Sequence, residues 1–226
     1  ILDPATGTGT FLGEVVKHIH KKFEGQQGIW SKYVTKDLIP RLNGFELLMA
    51  SYAMAHLKMD MLLTETGYKP TDDQRFRIFL TNSLEEAHPD TQTLFSSWLS
   101  DEADQANAIK RDAPVMVVIG NPPYSGESAN KGEWIMNLME DYKKEPGGKE
   151  KLKERNPKMI NDDYVKFLRF GQHFIDKNGS GVLAFINPHG FLDNPTFRGM
   201  RWNLLKTYDK IYTIDLHGNT RKNEVS

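Results

Sequence analysis

Ile1-Leu2-Asp3-Pro4-Ala5-Thr6-Gly7-Thr8-Gly9-Thr10-Phe11-Leu12 is the stretch that decides the fold. Ile1 to Asp3 reads as the end of a buried strand. Phe11, Leu12, Val15, Val16, Ile19 and Phe23 then recur at helical spacing, predicting a helix over 10–23. Between the two, Gly7 and Gly9 allow a sharp turn and a close approach of the backbone to a ligand. The first amides of the helix favour an anionic group. A strand that enters a helix through such a turn is the opening unit of an α/β sheet.

Working outward, Leu42 to Glu46 reads as a second strand and Leu47 to Thr66 as a long helix stopped by Gly67 and Pro70. Arg77 to Leu80 is a third strand. Pro114 to Ile119 is a fourth, and its Val/Ile/Met run suits a central parallel position. Ser83 to Asp112 is a polar connection with some helix, and a short helix is expected near Val34 to Ile39. Asp162 to Asp176 reads as an amphipathic helix capped by Asp162, Gly181 to Ile186 as a fifth strand, and Phe197 to Thr207 as a helix. Lys210 to Leu216 alternates enough to be a sixth strand near an edge. Lys143 to Lys158 contains Pro146, Gly147, Gly148 and Pro157, with seven basic and three acidic residues, and reads as an exposed loop. Strand and helix alternate, which predicts an α/β fold: a mostly parallel sheet with helices on both faces, in one domain over 1–226.

The chain has 226 residues, formal net charge −1 and no cysteine. The length suffices for a sizeable core. Without cysteine there is no disulfide framework, thiolate zinc site or cysteine nucleophile. The longest apolar run, Val115 to Ile119, is far too short for a bilayer, and no signal peptide is visible, so a cytoplasmic location without membrane contact is expected. Balanced charge excludes a uniformly basic nucleic-acid module while leaving room for a local basic face. His18 and His20 stand two apart and face different sides of a helix, the wrong arrangement for one metal ion. His173, His189 and His217 are scattered, which suits packing or surface roles.

The glycine turn departs from two phosphate-binding patterns. No Gly-Lys-Ser/Thr follows it, and position 12 is Leu where a dinucleotide fingerprint requires Gly. What remains is a nucleoside cofactor without a pyrophosphate. Glu46, at the end of the second strand, can accept both ribose hydroxyls. Asn82, after the third strand, can face an adenine edge as donor and acceptor, or can cap its own turn.

Gly120-Asn121-Pro122-Pro123-Tyr124 follows the fourth strand. Two prolines fix two φ angles and remove two backbone donors, and Asn121, preceding a proline, is held extended. The stiff turn presents the Asn121 amide oxygen, the Pro122 carbonyl and the Tyr124 ring. Those groups suit methylation of a conjugated exocyclic amine. Two acceptors can take its hydrogens and stabilise the positive charge that develops, while the ring stacks on an extruded base.

Residues 3–11 and 121–124 together resemble the adenine-N6 DNA methyltransferase family. The resemblance extends to Glu46 and to Thr81-Asn82-Ser83-Leu84. Asp163-Tyr164-Val165-Lys166-Phe167-Leu168-Arg169 and Leu216-His217-Gly218-Asn219 are similar, more narrowly, to the methylase part of large single-chain restriction–modification enzymes. The resemblance implies a Rossmann-like methyltransferase sheet that binds S-adenosyl-L-methionine. Asp3, Pro4, Ala5, Thr6, Gly7, Gly9 and Phe11 would surround the methionine part, Glu46 would hold the ribose, and Asn82 with Ser83 the adenine. Asn121, Pro122, Pro123 and Tyr124 would form the catalytic pocket. The implied partners are double-stranded DNA with a flipped adenine, and target-recognition and helicase-nuclease regions of a parent chain. Many relatives carry Asp at the position of Asn82. A segment before the first strand and a reversed strand after the sixth usually complete the family's site and sheet, so the expectation is a catalytic-core fragment, weak or inactive alone. The rival readings are glutamine methylation in a protein, which the same turn chemistry serves but whose enzymes tend to lack Pro4, and a non-catalytic module attached to a nuclease.

Overall fold

A computed structural model describes residues 1–70, 74–86, 97–126, 128–154 and 157–216. Five strands form one all-parallel sheet: β1 (Leu2–Asp3), β2 (Asn43–Glu46), β3 (Arg77–Leu80), β4 (Val117–Gly120) and β5 (Val182–Phe185). Their spatial order is β3-β2-β1-β4-β5. The chain therefore winds outward from β1 on one side, returns, and winds outward through β4 on the other. The direction reverses between β1 and β4, where open α/β sheets place their ligands, beyond the carboxyl ends of the strands.

The helices are α1 (Thr10–Lys21), α2 (Gln27–Tyr33), α3 (Met49–Glu65), α4 (Ser97–Asp112), α5 (Glu133–Met139), α6 (Asp163–Asn178), α7 (Gly190–Asp193) and α8 (Arg198–Thr207). Successive strand residues alternate between two cores, as the pleat requires. Ile78 joins Leu12, Val16, Tyr52, Ala55 and Met59 under α1 and α3, whereas its neighbour Phe79 joins Ala106, Ile109, Phe170 and Phe174 under α4 and α6. Helices thus cover both faces of the sheet, as predicted. A third cluster, with Tyr142, Val165, Phe197 and Met200, packs α8 against the outer side of α6.

Capping accounts for the limits of α6. The Asp162 carboxylate accepts from the Tyr164 amide, and Gly179 closes the helix with φ 76°. Tyr164 and Phe167 on this helix belong to the buried clusters. Among the described residues no helix is long and apolar enough to cross a membrane.

One expectation is corrected. Lys210 to Leu216 does not join the sheet: no ladder includes it, and Tyr212 and Ile214 are 82% and 84% exposed. Alternation describes a strand's faces, but a strand exists only where its backbone groups are paired, and among the described residues β5 pairs with β4 alone. Residues 143–154 of the expected loop carry contacts of their own. Lys144 and Lys151 form an antiparallel bridge, and the Arg198 guanidinium pairs with Glu145 at 2.6 Å and also with Glu154. His217, Gly218 and Asn219 lie outside the described residues.

Candidate active site

The turn after β1 is built on Asp3, which is fully buried. Its Oδ1 accepts from the Ala5 amide at 3.1 Å, and its own carbonyl accepts from Thr6 Oγ1 at 3.1 Å. The Thr6 amide donates to the Phe45 carbonyl, and the Gly9 amide to the Thr6 carbonyl, both at 2.9 Å. Gly7 at φ 55° and Gly9 at φ 80° occupy the left-handed region, so the two glycines of the sequence are required by backbone shape. Asp3 Oδ2 is buried and has no hydrogen-bond partner among the described residues. Burial pushes the Asp3 carboxyl up to about 7; the Ala5 amide opposes the shift and the nearby Glu46 charge adds to it. An acceptor of that kind suits a cationic group brought to the turn.

Glu46 ends β2 with both carboxylate oxygens on backbone: Oε2 accepts from Gly7 N and Oε1 from Leu48 N, each at 2.8 Å. It ties the glycine turn to β2 and keeps further lone pairs free for hydroxyl donors. The Ser83 hydroxyl donates to the Pro4 carbonyl at 2.5 Å, binding the third strand end to the first turn.

Asn82 is more committed than its sequence position suggested. Its Nδ2 donates to Glu85 Oε1 at 3.1 Å and to Asn130 Oδ1 at 2.9 Å, while its Oδ1 accepts from the Leu84 amide at 3.0 Å. Here the turn-capping alternative describes the amide, which retains one oxygen lone pair for a ligand. Lys110, which attracted no notice in the sequence, supports this turn from below. Its Nζ donates to the Asn82 carbonyl at 2.7 Å and to the Glu85 carbonyl at 3.1 Å, and burial draws its pKa down to about 8.

Across the switch point, β4 delivers the second half. Asn121, Pro123 and Tyr124 are exposed and Pro122 is buried, so the turn is anchored at one proline and opens to solvent elsewhere. The Ile186 amide donates to the Gly120 carbonyl at 3.0 Å, so β5 extends alongside the start of the turn. The two halves meet at Gly120: a Cβ built there would lie 2.7 Å from Asp3 Oδ1. Two hollows lie elsewhere, one by Trp134 and Asp141 and one by His56 and Arg75, and neither is lined by a residue of the strand-end turns. Phe11, at the start of α1, is half-buried. His20 packs on Trp30 at 4.8 Å and His173 edge-on to Trp134 at 5.5 Å.

The residues behind the Asn121–Tyr124 turn were missed as functional. Asp162 Oδ1 accepts from the Ser125 amide at 2.9 Å. Asp163 Oδ1 accepts from Ser128 Oγ at 2.6 Å and from Asn130 Nδ2 at 2.9 Å. Lys166 donates to Ser128 Oγ at 2.7 Å and to the Asn130 carbonyl. A signal existed: Asp163, Lys166, Arg169 and Gln172 recur every three residues on a helix otherwise rich in aromatics, and all four are buried.

Three solved structures share this architecture. A nuclease-deletion mutant of the Type ISP restriction-modification enzyme LlaGI, in complex with a DNA substrate mimic, aligns with TM-score 0.74 at 22% identity, over 92% of this chain and 17% of that one. The ATP-dependent Type ISP restriction-modification enzyme LlaBIII bound to DNA gives 0.73 at 23%, over 90% and 14%. The DrdV–DNA complex gives 0.70 at 27%, over 97% and 20%. The chain spans a fifth or less of each of these proteins. No curated protein matches it. The sequence of residues 46–221, from Glu46 through the Asn121–Tyr124 turn and beyond α8, matches a family model, and the chain belongs to the Eco57I restriction-modification methylase family.

Proposed function

We propose that this domain transfers a methyl group from S-adenosyl-L-methionine to N6 of adenine in double-stranded DNA, as the modifying part of a restriction–modification enzyme. The observation that carries the reading is the junction of β1 and β4. An exposed Asn-Pro-Pro-Tyr turn begins one residue beyond the glycine that packs on the buried Asp3 carboxylate. Family membership and the DNA complexes among the structural relatives support it.

The residues present fit the cofactor. Asp3 Oδ2, buried and without a donor, suits the ammonium of the methionine part. The backbone from Pro4 through Ala5 and Thr6 to Gly7 and Gly9 forms the same turn, Phe11 follows it in the first turn of α1, and Glu46 has lone pairs left for the ribose hydroxyls. Asn82 and Ser83 border the adenine. When bound, S-adenosylmethionine supplies an electrophilic methyl group on a sulfonium. Asn121 Oδ1 and the Pro122 carbonyl accept the two hydrogens of the target amine. They orient its lone pair and stabilise the positive charge that builds as the N–C bond forms and the C–S bond breaks. Tyr124, 63% exposed, stacks on the extruded base for about 1–3 kcal/mol, against the few kcal/mol required to unstack it. The methylated amine then releases its proton to solvent, so no basic side chain is needed at the turn.

Target recognition and any helicase-nuclease function belong to other regions of the parent chain. Tritiated methyl transfer from S-adenosylmethionine to plasmid DNA by the full parent protein tests the reading, with N6-methyladenine as the expected product. Methylated cytosine, or label on glutamine in protein, would overturn it.

A further inference from the structure

The turn that holds Asn82 and the loop that follows Tyr124 are joined by one continuous hydrogen-bond chain, and α6 supplies its centre. Starting from the cofactor side, Lys110 holds the Asn82 carbonyl and Asn82 Nδ2 donates to Asn130 Oδ1. Asn130 Nδ2 donates to Asp163 Oδ1, which also takes the Ser128 hydroxyl. Lys166 closes the chain by donating to Ser128 Oγ and to the Asn130 carbonyl. One residue earlier, Asp162 takes the Ser125 amide, directly after Tyr124.

Burial makes this arrangement consequential. Asp163 is 8% exposed, Ser128 9% and Lys166 1%. A buried carboxylate and ammonium need their polar partners, and a network that satisfies them favours one geometry over near alternatives. Burial draws the Lys166 pKa down, and the adjacent Asp163 charge pulls it back up. Asp163 thus favours the charged form of the side chain that donates to the loop carbonyl. Without Asp163, Ser128 and Asn130 lose the acceptor they share, and Asp162 on the Ser125 amide is left to hold the start of the loop behind the Asn121–Tyr124 turn.

We propose that Asp163 is a positioning residue for methyl transfer: through Ser128 and Asn130 it fixes the Asn121–Tyr124 turn in register with the Asn82 side of the cofactor site. The inference rests on the methyltransferase reading above and adds a residue that touches neither cofactor nor base. Misplacing reacting groups by about an ångström can lower a rate by about a hundredfold while binding persists.

The test is single-turnover methylation of plasmid DNA by the parent protein with tritiated S-adenosylmethionine, in wild type, Asp163→Ala, Asn130→Ala and the double variant. The rate constant and the amplitude are read separately. The expected result is a rate constant lowered about tenfold to a hundredfold with the amplitude kept, and a double variant no slower than Asp163→Ala. A lowered amplitude with an unchanged rate constant would reduce Asp163 to a folding role and overturn the inference. If Asp163→Ala yields no folded protein, Asn130→Ala decides, because it cuts the same link at a half-exposed loop residue. A wild-type rate in that variant refutes the link. Active wild type with unaffected variants sinks this inference alone, whereas wild-type protein that transfers no methyl group sinks the activity and the inference together.

Discussion

Gly120 and Asp3 lie so close that a single methyl group on Gly120 would sit 2.7 Å from Asp3 Oδ1. Gly120 is the last residue of β4 and Asp3 the last of β1. This contact is where the strand that carries the Asn121–Tyr124 turn passes the carboxylate beneath the glycine turn. Both residues are buried, and Asp3 Oδ1 is committed to the Ala5 amide, so neither can move aside freely.

Gly120→Ala should therefore disturb both halves of the site at once. Overpacking of this kind costs about 1–3 kcal/mol. For a domain of this length each kcal/mol lowers Tm by about 2–4 °C. Calorimetry should show the melting point reduced by that amount, with weaker binding of S-adenosylmethionine. A variant with wild-type Tm and affinity would mean that the contact is not tight in solution.

Asp3 predicts a pH dependence with a definite sign. Its carboxyl is raised by burial from the ordinary carboxylate range to about 7. The folded protein thus prefers the protonated form, and this contribution to stability, full below pH about 4, is lost as pH rises towards and through 7. Binding of the cofactor's ammonium runs the other way, because it needs the carboxylate. Affinity should rise between pH 5.5 and 7.5 with proton release, and Asp3→Asn should flatten the rise. His56 and His173, whose pKa values burial lowers, favour the fold at higher pH, so the difference between wild type and Asp3→Asn isolates the aspartate. Isothermal titration in buffers of different ionisation enthalpy measures both quantities.

Asn121→Ala removes an acceptor that the mechanism uses at the transition state. The exposed position predicts little change in stability. Methyl transfer should fall at least about a hundredfold while cofactor affinity stays within a factor of about three, since preorganised polar groups of this type contribute on that scale. Tyr124→Phe should retain most activity and Tyr124→Ala should lose it through weaker base stacking, read as methyl transfer to plasmid DNA.

The parts of the molecule that were legible in the sequence are those whose chemistry is local. Gly7 and Gly9 announce a left-handed turn, and Pro122 and Pro123 announce a stiff one. The unbroken run of β4 announces a central strand, so five strands of the sheet and the turns at the ends of β1 and β4 could be read from the sequence. What escaped is tertiary. Beside its local partners Leu84 and Glu85, the Asn82 amide meets Asn130, on the far side of α4 and β4 in sequence, and nothing near Asn82 foretells that contact. Helix α5 starts at Glu133 after Gly132, which offers no side-chain cap, and runs for only seven residues, too short for a periodic signal. Lys210 to Leu216 carried the right alternation, yet pairing depends on a neighbouring strand that alternation does not encode.

Glu46 offers the last prediction, because it works on the glycine turn and on Asp3 together. Its two oxygens accept from Gly7 and Leu48 amides, so Glu46→Gln must turn an amide nitrogen toward one of two backbone donors. One N–H then goes unpaired at a cost of about 1–3 kcal/mol. Losing the carboxylate also weakens ribose binding, and affinity for S-adenosylmethionine should drop about tenfold or more. The same change removes one of the two influences that raise the Asp3 carboxyl, the other and larger being burial. The midpoint of pH-dependent cofactor binding should therefore move below 7 while remaining above the ordinary carboxylate range. A midpoint that stays at the wild-type value would show that Asp3 does not sense Glu46, and that burial alone sets its titration.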